Sequence, residues 1–254
     1  MTRPFSRLLA AVAAAAAILL SGCTPDGPGL IDDAIAAHGG ARFDNVQLRF
    51  EFRDRTYFLH NQTGRFRYER TFRDSLGQVR DVLDNDGFRR EVEGRPVPLS
   101  PADSQKYANS LNSVAWFALL PYPLKAPAVK PRYLGERTIR GETYHEVEVT
   151  FDPNGGGVDY QDRFVFWFHH SRRTMDYLAY RFHTDGGGTR FREAVNVRRQ
   201  QGLRIADYRN YTVADTDMPL ERYPERLEAG SLELVSVVAK ENLQVTMLPG
   251  AVSP

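Results

Sequence analysis

The chain has 254 residues, with 33 lysines and arginines against 32 aspartates and glutamates, for a formal charge of +1. That balance gives no attractive field for nucleic acid, and a single cysteine excludes an internal disulfide framework. Apolar residues make up 42% of the chain, with 15 Phe and 12 Tyr, so stability must come from an aromatic-rich core.

Arg3 and Arg7 precede an apolar run from Leu8 to Leu20, and Leu20-Ser21-Gly22-Cys23 closes it. A charged start, an apolar stretch and small residues before a cleavage point make a secretory signal peptide. The run is shorter than the roughly 20 residues a membrane span needs. Its ending resembles a bacterial lipobox, which implies cleavage before Cys23 and a diacylglycerol on the thiol. Acylation also accounts for an unpaired cysteine in an exported chain. Each buried methylene of an acyl chain contributes about 0.8 kcal/mol, so two or three chains hold a protein firmly to a bilayer. The expected organisation is a lipoprotein signal at 1–22, an acylated cysteine and flexible tether at 23–29, and one antiparallel β domain over 30–254. The expected location is the cell envelope, lipid-anchored. Thr24 stands where an aspartate would favour inner-membrane retention, so the outer membrane is preferred.

Beyond the Pro/Gly-rich tether, Leu30–Ala37 reads as a short amphipathic helix, stopped by Gly39-Gly40. Val46–Arg53 alternates Val46, Leu48, Phe50 and Phe52 with polar residues, the period of a half-buried strand. Phe66, Tyr68 and Phe72 repeat that pattern against Arg65, Arg67 and Glu69. Turns at Asp74-Ser75-Leu76-Gly77 and Asn85-Asp86-Gly87 lead into strands at Val79–Asp84 and Phe88–Glu93, which predicts antiparallel hairpins.

Ser100 and Pro101 open one long helix, with Ser100 as N-cap and Pro101 at the first helical position. Tyr107, Leu111, Val114 and Ala118 form one stripe, and Trp116, Phe117, Leu119 and Leu120 make the C-terminal end apolar nearly all round. Pro121 and Pro123 stop it. A helix apolar on every side must be covered. Strands are predicted at Arg132–Ile139, Thr143–Phe151, Arg163–His169, Thr174–Phe182, Arg190–Val197 and Leu203–Val213. Two more apolar stretches lie near Leu232–Val238 and Leu243–Leu248. In Arg163–His169, Phe164, Phe166 and Phe168 share one face and Val165 and Trp167 the other, so both faces are covered. The expected fold is mainly β: a single strongly curved antiparallel sheet, a half-open barrel, wrapping one long and one short helix.

Sites are less sharply marked. Asp152, Asn154, Asp159 and Asp162 surround Gly155-Gly156-Gly157 and offer the oxygen ligands of a calcium loop. Arg163 stands where an EF-hand has its bidentate glutamate, and a glycine-rich hairpin loop with turn-capping aspartates explains the same residues. His145, His169, His170 and His183 lack a zinc motif, and adjacent strand histidines point to opposite faces. No serine nucleophile motif is present, and acylation removes Cys23 from the nucleophiles. His38 suits a helix C-terminus. Arg53, Arg70, Asp176, Arg192, Glu193 and Asp207 fit acid/base chemistry, cross-strand ion pairs or the polar rim of a ligand cavity.

The chain resembles a family of uncharacterised bacterial lipoproteins whose domain has no known function. The resemblance rests on His38-Gly39-Gly40, Phe50-Glu51-Phe52-Arg53, Tyr68-Glu69-Arg70, Asn112-Ser113-Val114, Phe117 and Leu120-Pro121. It continues through Gly155-Gly156-Gly157, Asp159, Asp162, Trp167 and Asp176-Tyr177-Leu178-Ala179-Tyr180. It ends in Arg190-Phe191-Arg192-Glu193-Ala194 and Asp207-Tyr208-Arg209-Asn210-Tyr211. The pattern is similar to lipoprotein-localisation factors and envelope lipid carriers. That implies a half-open antiparallel barrel wrapping helices and holding acyl chains in an apolar concavity. The leading expectation is therefore a membrane-anchored lipoprotein, not an enzyme, that binds a lipid or acyl chain. Phe50, Phe52, Phe66, Tyr68, Trp116, Phe117, Leu120, Phe164, Phe166 and Phe168 are its cavity candidates, although they would equally make a filled core. The alternatives are a metal-assisted hydrolase using the Asp152–Asp162 loop, or an accessory or scaffold subunit of an outer-membrane complex. The expected partners are the membrane, through the acyl chains, and a lipid ligand, with no nucleic acid. No cofactor is expected apart from calcium at that loop.

Overall fold

The computed structural model describes residues 25–155, 157 and 160–250. Cys23 and the signal segment lie outside them. The first helix, α1, runs over Gly27–His38 and starts before the Leu30 that the apolar pattern marks. Asp26 caps it, accepting the Gly29 N–H at 2.7 Å, and a proline sits in its first turn. Residues 27–29 are therefore helix rather than tether. Gly39 ends it at φ 140°, and a Cβ there would stand 2.4 Å from Leu203 Cδ2. Gly39→Ala is expected to cost more than about 1 kcal/mol, read as a lower urea midpoint, because both conformation and space are refused.

Five strands and a two-residue edge follow: β1 (Asn45–Phe52), β2 (Arg55–Gln62), β3 (Arg65–Asp74), β4 (Gly77–Asp84), β5 (Gly87–Val92) and β6 (Arg95–Pro96). The long helix α2 (Pro101–Leu119) comes next, capped by the Ser100 hydroxyl, which accepts the Asp103 N–H. Then come β7 (Val129–Ile139), β8 (Glu142–Phe151), β9 (Arg163–His169), β10 (Met175–Phe182), β11 (Gly188–Gln200) and β12 (Leu203–Thr212). A short helix α3 (Tyr223–Glu228) precedes β13 (Glu233–Val238) and β14 (Glu241–Met247). No helix among the described residues is long and apolar enough to cross a membrane.

The strands form two seven-stranded antiparallel sheets, not the single sheet expected. Their orders are β14-β1-β2-β3-β4-β5-β6 and β13-β12-β11-β10-β9-β8-β7. The chain passes between them twice, from β6 to β7 through α2 and back again at Ala239-Lys240. A two-residue link would suit a hairpin, yet β13 pairs with β12 and β14 pairs with β1. Lys240 holds the crossover to β12: its N–H donates to Asp207 Oδ1 (2.9 Å) and its Nζ to Ala206 O (2.7 Å). The chain thus leaves one sheet and enters the other. The two sheets face each other as an open, curved shell without closing into a barrel.

Helix α2 lies between them. Leu111, Ala115 and Leu119, four residues apart, share a buried cluster with Leu48, Phe50 and Leu59 of the first sheet. Trp116, Phe117 and Leu120 pack with Phe164, Phe166 and Tyr180 of the second. Leu30, Ile31 and Ala34 of α1 belong to that same second cluster. The outer face of the second sheet is covered as well. Val165 and Trp167 are buried with Leu220, Tyr223 and Leu227, from α3 and the turn before it. That third helix is absent from the sequence expectation because six residues carry too little periodicity to read. Full burial of such side chains contributes roughly 1.5–3 kcal/mol each.

Candidate functional site: an apolar cleft at the seam of the two sheets

Between α2 and the second sheet, beside the β13–β14 crossover, lies a cleft of about 470 Å³. That is within the range of roughly 300–1,000 Å³ for small-ligand sites. Phe50, Phe52 and Arg53 bring the end of β1 to it; Asn112, Ser113, Trp116, Phe117 and Ala118 supply the helix wall. Phe164, Tyr180, Phe182, Arg190, Arg192, Tyr208 and Asn210 form the sheet floor, and Val235, Val238, Ala239 and Lys240 close the crossover side.

The aromatic wall is one contacting group. Trp116 stands edge-on to Phe117 with centroids 5.1 Å apart and lies 5.0 Å from Phe164. Phe164 stacks on Tyr180 at 5.2 Å, and Phe117 reaches the same tyrosine at 5.1 Å. Strand pairing sets the polar positions. Arg190 lies opposite Tyr180, and Arg192 opposite Asn210, so both arginines project from β11 onto the α2 side. The Arg192 guanidinium sits 3.9 Å from the Phe117 ring centroid and donates to the Tyr180 hydroxyl at 2.9 Å. Lys240 is only 7% exposed, and burial pulls its amine down to about 8. Burial pushes the Tyr208 phenol up to about 12.

A model for a family of unknown function (DUF6503) matches residues 40–240. The chain belongs to that family. No curated relative matches it in sequence. Among solved structures, this DUF6503 protein is similar to a LolA superfamily protein from Nitrosomonas europaea, with 15% identity and a TM-score of 0.51. The match covers 89% of this chain and 96% of that one. That likeness is one of fold. A DUF1329 family protein from Desulfovibrio piger shares 14% identity at a TM-score of 0.46, over 91% of this chain and 96% of that one. Lipoprotein LppX from Mycobacterium tuberculosis shares 11% at 0.29, over 62% and 90%.

Of the cavity candidates read from the DUF6503 sequence, Phe50, Phe52, Trp116, Phe117 and Phe164 line the cleft. Leu120, Phe166 and Phe168 are buried in the cluster shared with α1. Tyr68 packs in the first-sheet cluster, and Phe66 rests against Tyr68 at 4.9 Å. The crossover residues were not legible as part of a site, because nothing local tells which strands flank them.

The charged residues separate into two groups. Arg70 pairs with Asp81, Asp176 with Arg204, Glu193 with Arg140 and Arg209, and Asp207 with Arg198. These are ion pairs of the sheets. Arg53 and Arg192 instead line the cleft.

In the glycine-rich loop, Asp152 Oδ1 accepts the Asn154 N–H at 2.9 Å, and Lys130 Nζ lies 3.7 Å from Asp152 Oδ2. Asp162 is buried and accepts the His183 N–H at 3.2 Å, while Asp159 lies outside the described residues. Among the described residues, these acids join no group of three clustered metal-ligand side chains. Glu136, His145 and His170 do, with ligand atoms within 4.8 Å of one another. Three such ligands suit zinc in an open site. Burial and the positive charge of Arg173 hold His145 below the usual imidazole range, and that same arginine opposes a bound cation. His169 is spent on its turn, where Nδ1 accepts from the Ser171 and Arg172 N–H groups at 3.1 Å each.

Proposed function

We propose that this DUF6503 chain is an envelope lipoprotein that binds an apolar ligand, a lipid or an acyl chain, in the cleft between α2 and the second sheet. In this reading acyl chains on Cys23 hold it to the membrane, the outer membrane in preference to the inner. The observation that carries the proposal is the cleft itself: about 470 Å³ of space walled by Phe50, Phe52, Trp116, Phe117 and Phe164. The fold shared with a LolA superfamily protein supports the reading, as does the Leu20-Ser21-Gly22-Cys23 ending of the signal segment. Binding would draw on apolar burial against the aromatic wall.

Full-length protein purified gently from membranes should release a bound lipid on organic extraction, detected by mass spectrometry. The delipidated chain should bind a fluorescent acyl probe. Ser113 is exposed at the cleft mouth on α2, so Ser113→Trp should block entry without disturbing the core. Probe affinity is expected to fall by roughly tenfold or more, about 1.4 kcal/mol, with the melting temperature little changed. A wild-type protein with neither co-purified lipid nor probe binding would refute the proposal. For the anchor, Cys23→Ser should abolish incorporation of a labelled palmitate analogue.

A further inference from the structure

We infer that the ligand of this cleft carries an anionic head group, seated against Arg192, Arg190 and Lys240. The inference rests on the acyl-ligand reading above and adds the charge of the head. Elsewhere in the two sheets, buried and half-buried arginines meet carboxylates: Arg70 and Arg90 share Asp81, and Arg204 takes Asp176. On the cleft wall, Arg190, Arg192 and Lys240 have no such side-chain partner among the described residues. Asp207 acts on the Lys240 amine through its charge, but its hydrogen bonds go to Arg198 and to the Lys240 backbone N–H. Asp162, the carboxylate that lines the same cleft, accepts from the His183 N–H. A cation without an ion pair against an aromatic wall is unfavourable, and a ligand anion would supply that partner.

The donors are also prepared for one. Arg192 is held over the rings of Phe117 and Tyr180, which fixes its plane while leaving its Nε buried and without a hydrogen bond. Arg190 lies two residues earlier on the same face, 5.4 Å from the Phe182 centroid, with Nη1 donating to Thr189 O. Lys240 donates to Ala206 O, and its amine has further N–H groups to offer. A planar guanidinium beside an ammonium matches the oxygens of a carboxylate or a phosphate. Asn210, directly across from Arg192, has its buried Oδ1 without a partner. That acceptor distinguishes the two sources of the anion. A phosphoglycerol head carries hydroxyls that can donate to it, and a fatty-acid carboxylate does not.

The test is displacement of a fluorescent acyl probe from delipidated full-length protein by palmitate, methyl palmitate and palmitoyl lysophosphatidate. Both anions are expected to compete at least tenfold better than the ester. Lysophosphatidate outranking palmitate assigns the phosphate source, and the reverse order assigns the carboxylate. The preference should collapse in Arg192→Gln, with Arg190→Gln as the second variant should the first fail to fold. An ester that competes as well as the acid in wild-type protein overturns the head-group inference and leaves the acyl reading standing. Survival of the full preference in both variants also overturns it. A protein that binds no probe at all overturns both.

Discussion

Asp81→Ala is expected to lower the unfolding free energy by about 3–5 kcal/mol, the range for removing one partner of a buried ion pair. Asp81 is 0% exposed and sits on the inner face of the first sheet between two arginines in register, Arg70 and Arg90. Its Oδ2 accepts from Arg70 Nε (3.0 Å) and Nη2 (2.6 Å), and its Oδ1 accepts from Arg90 Nε at 2.6 Å. The same carboxylate holds the Arg90 guanidinium above the usual arginine range. Alanine would leave both cations facing each other under α2. The effect should reach the helix, because Arg70 Nη1 donates to Ser110 of α2 at 2.9 Å, and Arg90 lies 3.6 Å from the Tyr107 centroid. Urea titration of Asp81→Ala beside Glu91→Ala is the check. Glu91 makes a more exposed pair with Arg80, for which roughly 0–1 kcal/mol is expected. Equal losses in the two variants would show that the buried cluster contributes no more than a surface pair.

The second large effect is a loss of stability on mild acidification, caused by His38. This residue ends α1 and is 2% exposed. Its Nδ1 lies 2.8 Å from Ala34 O, and its Nε2 lies 3.0 Å from Arg204 Nη1. Arginine can only donate, so Nε2 accepts and the proton resides on Nδ1, a neutral imidazole. Burial, followed by the charge of Arg204, lowers its pKa from 6.5 to about 4. Between those values the unfolded chain binds the proton and the folded chain does not, so stability falls as pH falls. At 1.36 kcal/mol per unit, the whole window amounts to about 3 kcal/mol, fully present above pH 6.5 and lost on the way to pH 4. His38→Gln keeps a donor and an acceptor without the titration. The slope of stability between pH 6.5 and 4.5 should therefore be shallower in the variant than in wild type. Parallel slopes would reject the assignment.

Local chemistry made much of this fold legible. Ser100 and Pro101 mark the start of α2 because they satisfy and fit a helix N-terminus, whatever surrounds it. Period-two alternation located most strands, since one face of each is buried. Strand β2 escaped because its turn, Arg53-Asp54, has φ of 51° and 57° without a glycine to signal it. The cap at Asp26 was hidden in a stretch whose prolines and glycines read as tether. The aromatic rows were visible, but their fates were not. Phe164, Phe166 and Phe168 stack in one row at 5.8 and 6.0 Å, yet only Phe164 lines the cleft. All three belong to the cluster that includes α1, a segment more than a hundred residues away in the chain, and only the first also borders open space.

By itself the sequence determined the aromatic, mainly antiparallel β character of the chain, the long helix with its cap and its all-round apolar end, and the resemblance to a lipoprotein family. Each depends on short-range periodicity, capping or a contiguous motif. Only the tertiary structure decided that the strands divide into two sheets, with β14 returning to the first at Ala239-Lys240, that Arg192 and Lys240 line one cleft with Trp116 and Phe117, and that space remains between them. The physical reason is that strand partners and empty volume are set by contacts distant in sequence. Asn45, for example, donates to Gly250 O across 205 residues to help seat β14 against β1. Local patterns state which side chains avoid water; they do not state which of them meet.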